Sequence, residues 1–367
     1  MKNLSTGTGL NHAVRVTIAA LSIVLGLGAA GPAAAQCPGD VTDNAEVNGG
    51  DLGLVLAAWG SNGASEPGTD INEDGVVNGA DLAYVLGAWG PCPTAGIVKA
   101  WGANYESQCN VPWNLGPCTT VAAGAGHNLA LLTDNSVRAW GSNTAGQCDI
   151  PADLGSCKAI AVGISHSLAL RTDGSVRAWG ACGNGQCDIP PDLGPCKALT
   201  AGNSHSIALR NDGTVTAWGY DNYNNHIVPT DLGLCSAVDS GIYHTVAIRT
   251  DGIVRSWGQN TCGQCDVPAD LGPCTDISAG ANHTIALRAD GTVRAWGNNA
   301  YGQSDVPTGL GVCTDVAAGA QHNVVLAADG TVQLWGYNDY GQRNIPTDLR
   351  PCSTISGGFF HTVVIQR

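Results

Sequence analysis

The sequence is poor in several residue types on which common protein classes depend. It has one Met, two Phe and 13% charged residues, and only 16 Lys and Arg stand against 30 Asp and Glu. The formal charge of −14 argues against a general nucleic-acid binder, because binding phosphates requires clustered cations. The 51 glycines disfavour long helices as the main element. After residue 31, no apolar run is long enough to span a bilayer.

The first 35 residues have the pattern of a secretory signal peptide. Lys2 and Arg15 precede an apolar run at 16–31, and Ala33 to Ala35 form a small-residue cleavage site. The run is shorter than the ~20 residues that a membrane-spanning helix needs. We therefore expect 1–35 to be removed and the protein to be secreted, into the medium, onto the cell surface or into a periplasm. The 15 cysteines suit such an oxidising compartment.

Residues 36–92 contain a duplicated twelve-residue loop that is rich in side-chain oxygens. Such a loop suits calcium, a hard cation that binds several oxygens in irregular geometry. The predicted ligands are Asp40, Thr42, Asn44, Glu46, Asn48 and Asp51 in the first loop, and Asp70, Asn72, Asp74, Val76, Asn78 and Asp81 in the second. Glu46 and Val76 would bind through their backbone carbonyls. We expect about two calcium ions, with the second loop stronger because Gly75 replaces Ala45 at the sharp turn.

Each loop leads into an apolar stripe with helical spacing, Leu52, Val55, Leu56 and Trp59 in the first copy. This duplicated loop-helix unit resembles a dockerin, which implies calcium-dependent attachment to a cohesin-like protein. The residues before the last ligand, Gly49-Gly50 and Gly79-Ala80, lack the side chains that often make that contact. The alternative is that calcium only folds the module. A disulfide between Cys37 and Cys92 would close it, and residues 93–94 form a linker.

The remaining chain, 95–367, is strictly periodic. Its 273 residues comprise seven units of 39, without insertion or deletion. Each unit contributes one residue to a Trp column (Trp101 to Trp335), a His column (His127 to His361) and a Cys column (Cys118 to Cys352). Short alternating runs joined by an Asp-Gly turn predict antiparallel hairpins. Such small sheets bury their faces when arranged radially, which predicts a mainly β fold, a seven-bladed β-propeller.

The two ends of the periodic region complete one another. The last unit stops after Ile365, before its Trp-containing strand, and residues 96–102 at the start are that missing strand. We therefore expect both termini to share one blade and close the ring.

One full repeat, Gly280 to Gln303, resembles the regulator of chromosome condensation repeat, and the resemblance covers 95–367. It implies a seven-bladed propeller. The family's founding activity is guanine-nucleotide exchange on a nuclear GTPase. We do not extend that activity to this acidic chain with its export signal. In architecture and compartment the chain is also similar to the secreted propeller that inhibits β-lactamases through aromatic loop residues.

A residue repeated in every blade is better explained by folding than by chemistry. We expect each column His to hydrogen-bond a neighbouring loop and each column Trp to pack between blades. No Ser-His-Asp, HExxH or phosphate-binding glycine pattern breaks the sevenfold repeat, so the sequence predicts no catalytic site.

The positions that differ between blades are the candidate binding residues. The two residues before each column His vary, and both phenylalanines of the chain lie there together. The predicted partner-binding residues are Ile242, Tyr243, Phe359 and Phe360. A second loop carries Tyr105, Tyr223, Tyr301 and Tyr340, with Tyr220 and Tyr337 near it. These tyrosines either line the other rim or pack within their loops. The plain alternative is that all these aromatics are half-buried fillers.

Four repeats have a second Cys nine residues before the column Cys. The candidate disulfides are Cys109–Cys118, Cys148–Cys157, Cys187–Cys196 and Cys265–Cys274. Cys262 and Cys265 also form a CxxC pair. Because 15 is odd, at least one thiol is free or bonded between chains.

These patterns together predict a secreted, monomeric, non-catalytic interaction protein. The calcium module would attach it, and the propeller would bind a protein or a glycan. The first alternative is an inhibitor of an extracellular enzyme. The second is a carbohydrate-active protein, which would need a pair of carboxylates that the sequence does not offer.

Overall fold

The computed structural model describes residues 46–62, 69–71, 75–87, 90–91, 96–112, 114–221 and 223–367. The predicted signal peptide, the linker at 93–94, and Cys37 and Cys92 lie outside these residues. Within the described ranges, no helix has the length and apolarity needed to cross a membrane.

The N-terminal part contains two short helices, α1 (Gly49–Ala57) and α2 (Gly79–Gly87), and a strand pair, β1 (Glu46–Val47) and β2 (Gly90–Pro91). Its small core is made of Val47, Val55, Val77 and Val85 with Ala58. The predicted apolar stripe is only partly buried, since Leu56 and Trp59 are each 51% exposed. The reason is the size of the module, because two nine-residue helices offer too little surface to cover a whole stripe.

The periodic region forms seven three-stranded antiparallel sheets, the blades. Blades 1 to 6 run in chain order. Their strands are β4 (Cys118–Ala123), β5 (His127–Leu132), β6 (Val137–Gly141); β7 (Cys157–Val162), β8 (His166–Arg171), β9 (Val176–Gly180); β10 (Cys196–Ala201), β11 (His205–Arg210), β12 (Val215–Gly219); β13 (Cys235–Ser240), β14 (His244–Arg249), β15 (Val254–Gly258); β16 (Cys274–Ala279), β17 (His283–Arg288), β18 (Val293–Gly297); β19 (Cys313–Ala318), β20 (His322–Ala327) and β21 (Val332–Gly336).

Blade 7 joins the two ends of the propeller. Its order is β22 (Cys352–Gly357), β23 (His361–Gln366) and β3 (Ile97–Gly102), so the strand that starts the propeller completes its last blade. Val98 lies opposite Ile365, and Trp101 lies opposite Thr362. The predicted pairing of the two ends is therefore present, and no blade is left with an incomplete sheet.

The local sequence of each blade explains its strands. The middle strands are buried along nearly their whole length because neighbouring blades cover both faces, as in β8. A tight turn follows, in which the Asp173 carboxylate accepts the Ser175 backbone N–H at 2.8 Å and Gly174 has φ of 89°. The third strand of each blade then brings its Trp between blades, in clusters that contain residues of two neighbouring units.

A belt of hydrogen bonds ties each blade to the next. His127 of blade 1 lies 3.1 Å from the Ser167 hydroxyl of blade 2 through its Nε2. Ser167 donates to the Gln147 carbonyl at 2.9 Å, and the Trp179 indole donates to the same carbonyl at 3.0 Å. Since the Ser167 proton is used, the Nε2 of His127 is the donor in this bond. These contacts show that both columns hold the blades together. The predicted partner of the histidines was wrong, because His127 bonds a residue of strand β8 in the next blade and not a loop.

The belt closes across the chain ends and has one irregular member. His361 of blade 7 lies 2.8 Å from the Asn128 amide oxygen of blade 1. His205 is the exception, since its Nδ1 instead accepts from Asn225 at 2.9 Å. Burial is the main cause that lowers the pKa of the column histidines, to about 3 for His127 and about 4 for His361.

Glycine is required three residues before each column His, because the backbone of the next blade approaches closely there. A Cβ on Gly163 would lie 2.5 Å from both the Nδ1 of His166 and the carbonyl oxygen of Gly202 in the next blade. Because neither atom can move without disturbing the belt, a side chain here would separate two blades.

The one disulfide among the described residues joins Cys182 to Cys187, with a Cα–Cα distance of 5.2 Å. The predicted Cys187–Cys196 bond is therefore wrong, because Cys187 pairs within its own loop and the buried Cys196 thiol faces the Gly194 carbonyl. The other three candidate pairs of the propeller are also unbonded, and their loop cysteines point to carbonyls of their own loops. The free thiols of these pairs are Cys109, Cys118, Cys148, Cys157, Cys265 and Cys274.

Candidate functional site: an aromatic arc on one face

Two sets of loops meet on one face of the propeller. Inner turns join the first and second strands of a blade, and crossover loops join the third strand of one blade to the first strand of the next. Phe360 of an inner turn and Tyr340 of a crossover loop have ring centroids 4.9 Å apart, and Tyr223 and Tyr243 are 5.1 Å apart. The suggestion that the crossover tyrosines line the other rim is therefore wrong, because each crossover loop begins at the end of a third strand, beside the inner turns, and only its last residues reach the opposite face.

The largest group of aromatics spans three successive crossover loops, 298–312, 337–351 and 103–117. The centroid distances are 4.7 Å for Tyr301–Tyr337, 5.8 Å for Tyr337–Tyr340 and 5.8 Å for Tyr105–Tyr340. We call this group the aromatic arc; its members are Tyr105, Tyr301, Tyr337, Tyr340, Phe359 and Phe360. Tyr105 is 78% exposed and Tyr301 48%, so the arc presents a large aromatic surface to solvent.

Adjacent residues of an inner turn face different directions. The backbone N–H of Phe359 donates to the Gly124 carbonyl of blade 1 at 3.0 Å, and Phe359 lines the central channel, as does Ile242. Phe360 instead contacts Tyr337 and Tyr340 over the crossover loop. The four predicted partner-binding residues therefore separate into two at the channel and two beside the crossover loops.

The arc replaces a polar contact that two other units keep. The buried Gln303 amide donates to Asn298 at 2.9 Å, and Gln264 lies 3.5 Å from Asn282. At the corresponding positions around Gln342 stand Tyr337 and Phe360, and the Gln342 Nε2 is buried without a hydrogen-bond partner. Leaving such a donor unpaired costs about 1–3 kcal/mol. Stability therefore does not explain why aromatics are present at these two positions.

The crossover loops of the arc are acidic. Glu106, Asp305 and Asp339 are exposed. Arg343 is exposed as well, and its guanidinium donates to the Gly336 carbonyl at 2.8 Å. Desolvation and a hydrogen bond to Asp339 raise the pKa of Tyr337 to about 12. The arc is thus an aromatic surface bordered by carboxylates.

A smaller aromatic cluster lies on the same face at blade 4. Tyr243 contacts Tyr223 and accepts a hydrogen bond from the Asn203 amide at 3.0 Å. Its hydroxyl is thus tied to blade 3, which gives this pair a role between blades as well as at the surface.

The channel contains one carboxylate that serves the fold. Asp239 accepts from the Thr200 hydroxyl at 2.8 Å, the Ser278 hydroxyl at 3.0 Å and the Ala279 N–H at 2.9 Å. Burial raises its pKa against these hydrogen bonds. Because its partners come from blades 3 and 5, Asp239 of blade 4 links three blades.

The predicted calcium ligands are only partly described. Asp40, Thr42, Asn44, Asn72, Asp74 and the Glu46 side chain lie outside the described residues. The Asp81 carboxylate accepts from Ile71 N–H at 2.7 Å and Asn78 N–H at 2.8 Å, and Asp70 accepts from Gly75 N–H at 2.9 Å. Asp51 accepts from Asn48 N–H at 2.8 Å. Three or more His, Cys, Asp or Glu side chains do not converge anywhere in the described ranges.

The seven closed, three-stranded blades define a propeller of repeated units. Six segments of the chain match the Regulator of chromosome condensation (RCC1) repeat: residues 118–147, 157–186, 196–225, 235–264, 274–303 and 313–342. The chain therefore carries RCC1 repeats. Each match begins at a column Cys and ends seven residues after a column Trp. The seventh unit is divided between the two ends, which explains why it has no continuous match.

Solved structures support the same fold. Prp20p from Saccharomyces cerevisiae is 18% identical, with a TM-score of 0.64 over 73% of this chain and 90% of that chain. Human WBSCR16 is 17% identical, with a TM-score of 0.64 over 74% of this chain and 99% of that one. The ectodomain of the Physcomitrella patens receptor kinase CR4 is 23% identical, with a TM-score of 0.57 over 65% and 67%. A search of curated proteins finds no match.

Proposed function

We propose that this protein is a non-catalytic interaction platform whose binding surface is the aromatic arc. The observation that carries the proposal is the buried Gln342 Nε2, which has no hydrogen-bond partner because Tyr337 and Phe360 replace the asparagines found at the equivalent positions 298 and 282. Two aromatics that leave a buried donor unpaired and enlarge an exposed aromatic surface are typical of positions kept for binding. The solved relatives agree in kind, since Prp20p is described by its binding to Gsp1p and histones, and in complex with Kap60.

We further propose that the protein is secreted and attached through its dockerin-like module by calcium. The duplicated loops supply the oxygens, and Asp51 and Asp81 are held at the helix starts by backbone N–H groups. The other predicted ligands in each loop are side-chain and backbone oxygens, the atoms that calcium requires. Half-exposed Leu56 and Trp59 provide apolar surface beside the first loop.

A capture experiment with two independent arms tests the proposal. The mature chain is immobilised and exposed to proteins from the surrounding medium, in calcium and in chelator. Tyr337→Asn should abolish capture by the arc without loss of thermal stability, because Asn is the residue at the equivalent position 298 and gives Gln342 a partner. Tyr220→Asn is the matched control, since Tyr220 holds the same repeat position outside the arc.

The outcomes separate the two halves of the proposal. Unchanged capture by the Tyr337→Asn variant would remove the arc as the binding surface. Capture that is identical in calcium and chelator for every bound protein would remove the calcium-dependent attachment and leave the arc untouched.

A further inference from the structure

The aromatic arc and its charges point to a particular kind of partner. The three crossover loops of the arc present Glu106, Asp305 and Asp339 to solvent, together with a single cation, Arg343, one of whose N–H groups donates to the Gly336 carbonyl. An anionic ligand would therefore meet three carboxylates and one cation. A cation would meet both carboxylates and ring faces.

Apart from Arg343, seven arginines of the propeller lie away from this face. The middle strands begin with His at the arc face, so residues at their far ends lie beside the Asp-Gly turns of the opposite face. Arginines stand there in four blades: Arg171, Arg210, Arg249 and Arg288. Three further arginines form ion pairs from the third strands, Arg177 with Asp153, Arg255 with Asp231 and Arg294 with Asp270. The two faces therefore differ in charge, and the aromatic one is acidic.

We propose that the arc binds a cationic polypeptide segment, with Lys or Arg side chains lying on the tyrosine rings and paired with Glu106 and Asp339. A cation over a tyrosine ring is stabilised by about 0.5–2 kcal/mol, and a nearby carboxylate adds to this attraction. Tyr105-Glu106 and Asp339-Tyr340 are adjacent pairs in the chain, so each pair offers a ring and a carboxylate from neighbouring backbone positions. This inference rests on the proposed function, because it specifies the partner of the same surface.

A neutral glycan is the competing occupant. Sugars stack on aromatic rings but gain little from a border in which carboxylates outnumber cations, whereas a cationic chain uses both the rings and the carboxylates. Binding of the cationic segment should therefore weaken as salt rises, because exposed charges are screened within about 10 Å at 0.1 M ionic strength.

The test uses the full chain and three labelled probes: an oligolysine peptide, an oligoglutamate peptide and a neutral oligosaccharide. Oligolysine should bind, and its affinity should fall at least roughly tenfold in Tyr337→Asn and in the double variant Glu106→Gln/Asp339→Asn. The matched control is Asp149→Asn/Asp188→Asn, which removes two exposed carboxylates from crossover loops outside the arc. Asn is the natural residue at that repeat position in loops 103–117 and 337–351.

Each outcome decides the inference. An equal loss in the control double variant would show general attraction to a chain of charge −14 and would overturn it. Oligosaccharide binding that Tyr337→Asn abolishes and the charge variant spares would assign the arc to a glycan instead. If oligolysine fails to bind while arc-dependent protein capture persists, the cationic partner is wrong and the proposed platform stands. Because the charge variants alter only exposed side chains, they remain informative if Tyr337→Asn affects folding.

Discussion

Acidification from about pH 7.5 to about pH 5.5 should unfold the propeller, because the unfolded chain then takes up protons on seven imidazoles that are buried and neutral in the fold. The pKa of each column His is lowered to about 3 or 4, with burial as the main cause. In the unfolded chain the same groups titrate near the ordinary value of 6.5. The unfolded state therefore binds more protons below that pH.

These pKa values set the direction of the change in stability with pH and the pH range over which stability is lost. Full stability is present above about pH 6.5 and decreases as the pH falls toward 4. Each His contributes about 1.4 kcal/mol per pH unit, so the column can remove up to ~10 kcal/mol by about pH 5.5. That is comparable to the whole stability of many domains. Carboxylates act at lower pH, since hydrogen bonds in the Asp-Gly turns lower the pKa of Asp173 and Asp212 below the ordinary value of 3.8, and the stability that they contribute is lost as the pH falls below that value.

Urea unfolding at a series of pH values measures this dependence. His226→Asn is the control, because His226 lies outside the column, is partly exposed and pairs at 3.8 Å with Asp221. That variant should keep the steep dependence. A free energy of unfolding that stays flat between about pH 7.5 and about pH 5.5 would contradict the neutral belt.

Deletion of residues 96–102 should abolish cooperative unfolding of the propeller. The deletion removes β3, leaves β23 with an unpaired edge, and removes Trp101, which is buried and donates to the Gln342 carbonyl at 3.0 Å. Loss of a buried Trp alone costs about 3–5 kcal/mol. The missing strand adds exposed apolar surface and an edge prone to association. Calorimetry should show a lower, broader transition.

A circular permutant separates the loss of closure from a change of termini. Arg367 and Ala95 occupy consecutive repeat positions, so joining them places Ala95-Gly96 where other blades have the Asp-Gly turn. This chain lacks residues 1–94, and opening it between Gly155 and Ser156 keeps every strand of the propeller, β3 to β23, and the whole arc. Its parent is therefore the propeller alone, residues 95–367. Gly155 is exposed, and a Cβ added there would have no neighbour within 4 Å. The permutant should melt close to the parent. A deletion variant as stable as the parent would contradict ring closure.

The propeller could be predicted from the sequence because the same 39-residue pattern occurs seven times. Residues such as Trp179 and His166 recur every 39 positions, so the strands, the Asp-Gly turns and the shared last blade could all be derived from one unit. The same logic assigned the columns to folding. The first module was harder, since the exposure of Leu56 and Trp59 depends on how little surface two short helices cover.

The candidate site could be predicted only in part. Phe359, Phe360 and Tyr243 were found as departures from the repeat, but the sequence could not show that inner turns and crossover loops meet on one face. The role of Tyr337 was missed. Its signal was present, because position 298 in the preceding loop is Asn and position 342 keeps the Gln that needs such a partner. The loop disulfide was missed because Cys182 replaces the Asn found at position 143.

The most direct test is hydrogen–deuterium exchange of the full chain with a captured protein partner. It shows whether the partner binds the loop positions at which the blades differ in sequence. We expect slowed exchange in the three crossover loops of the arc and in the inner turn 358–360, with no change at the Asp-Gly turns. Slowed exchange at the Asp-Gly turns, or an equal effect around all seven blades, would contradict the account.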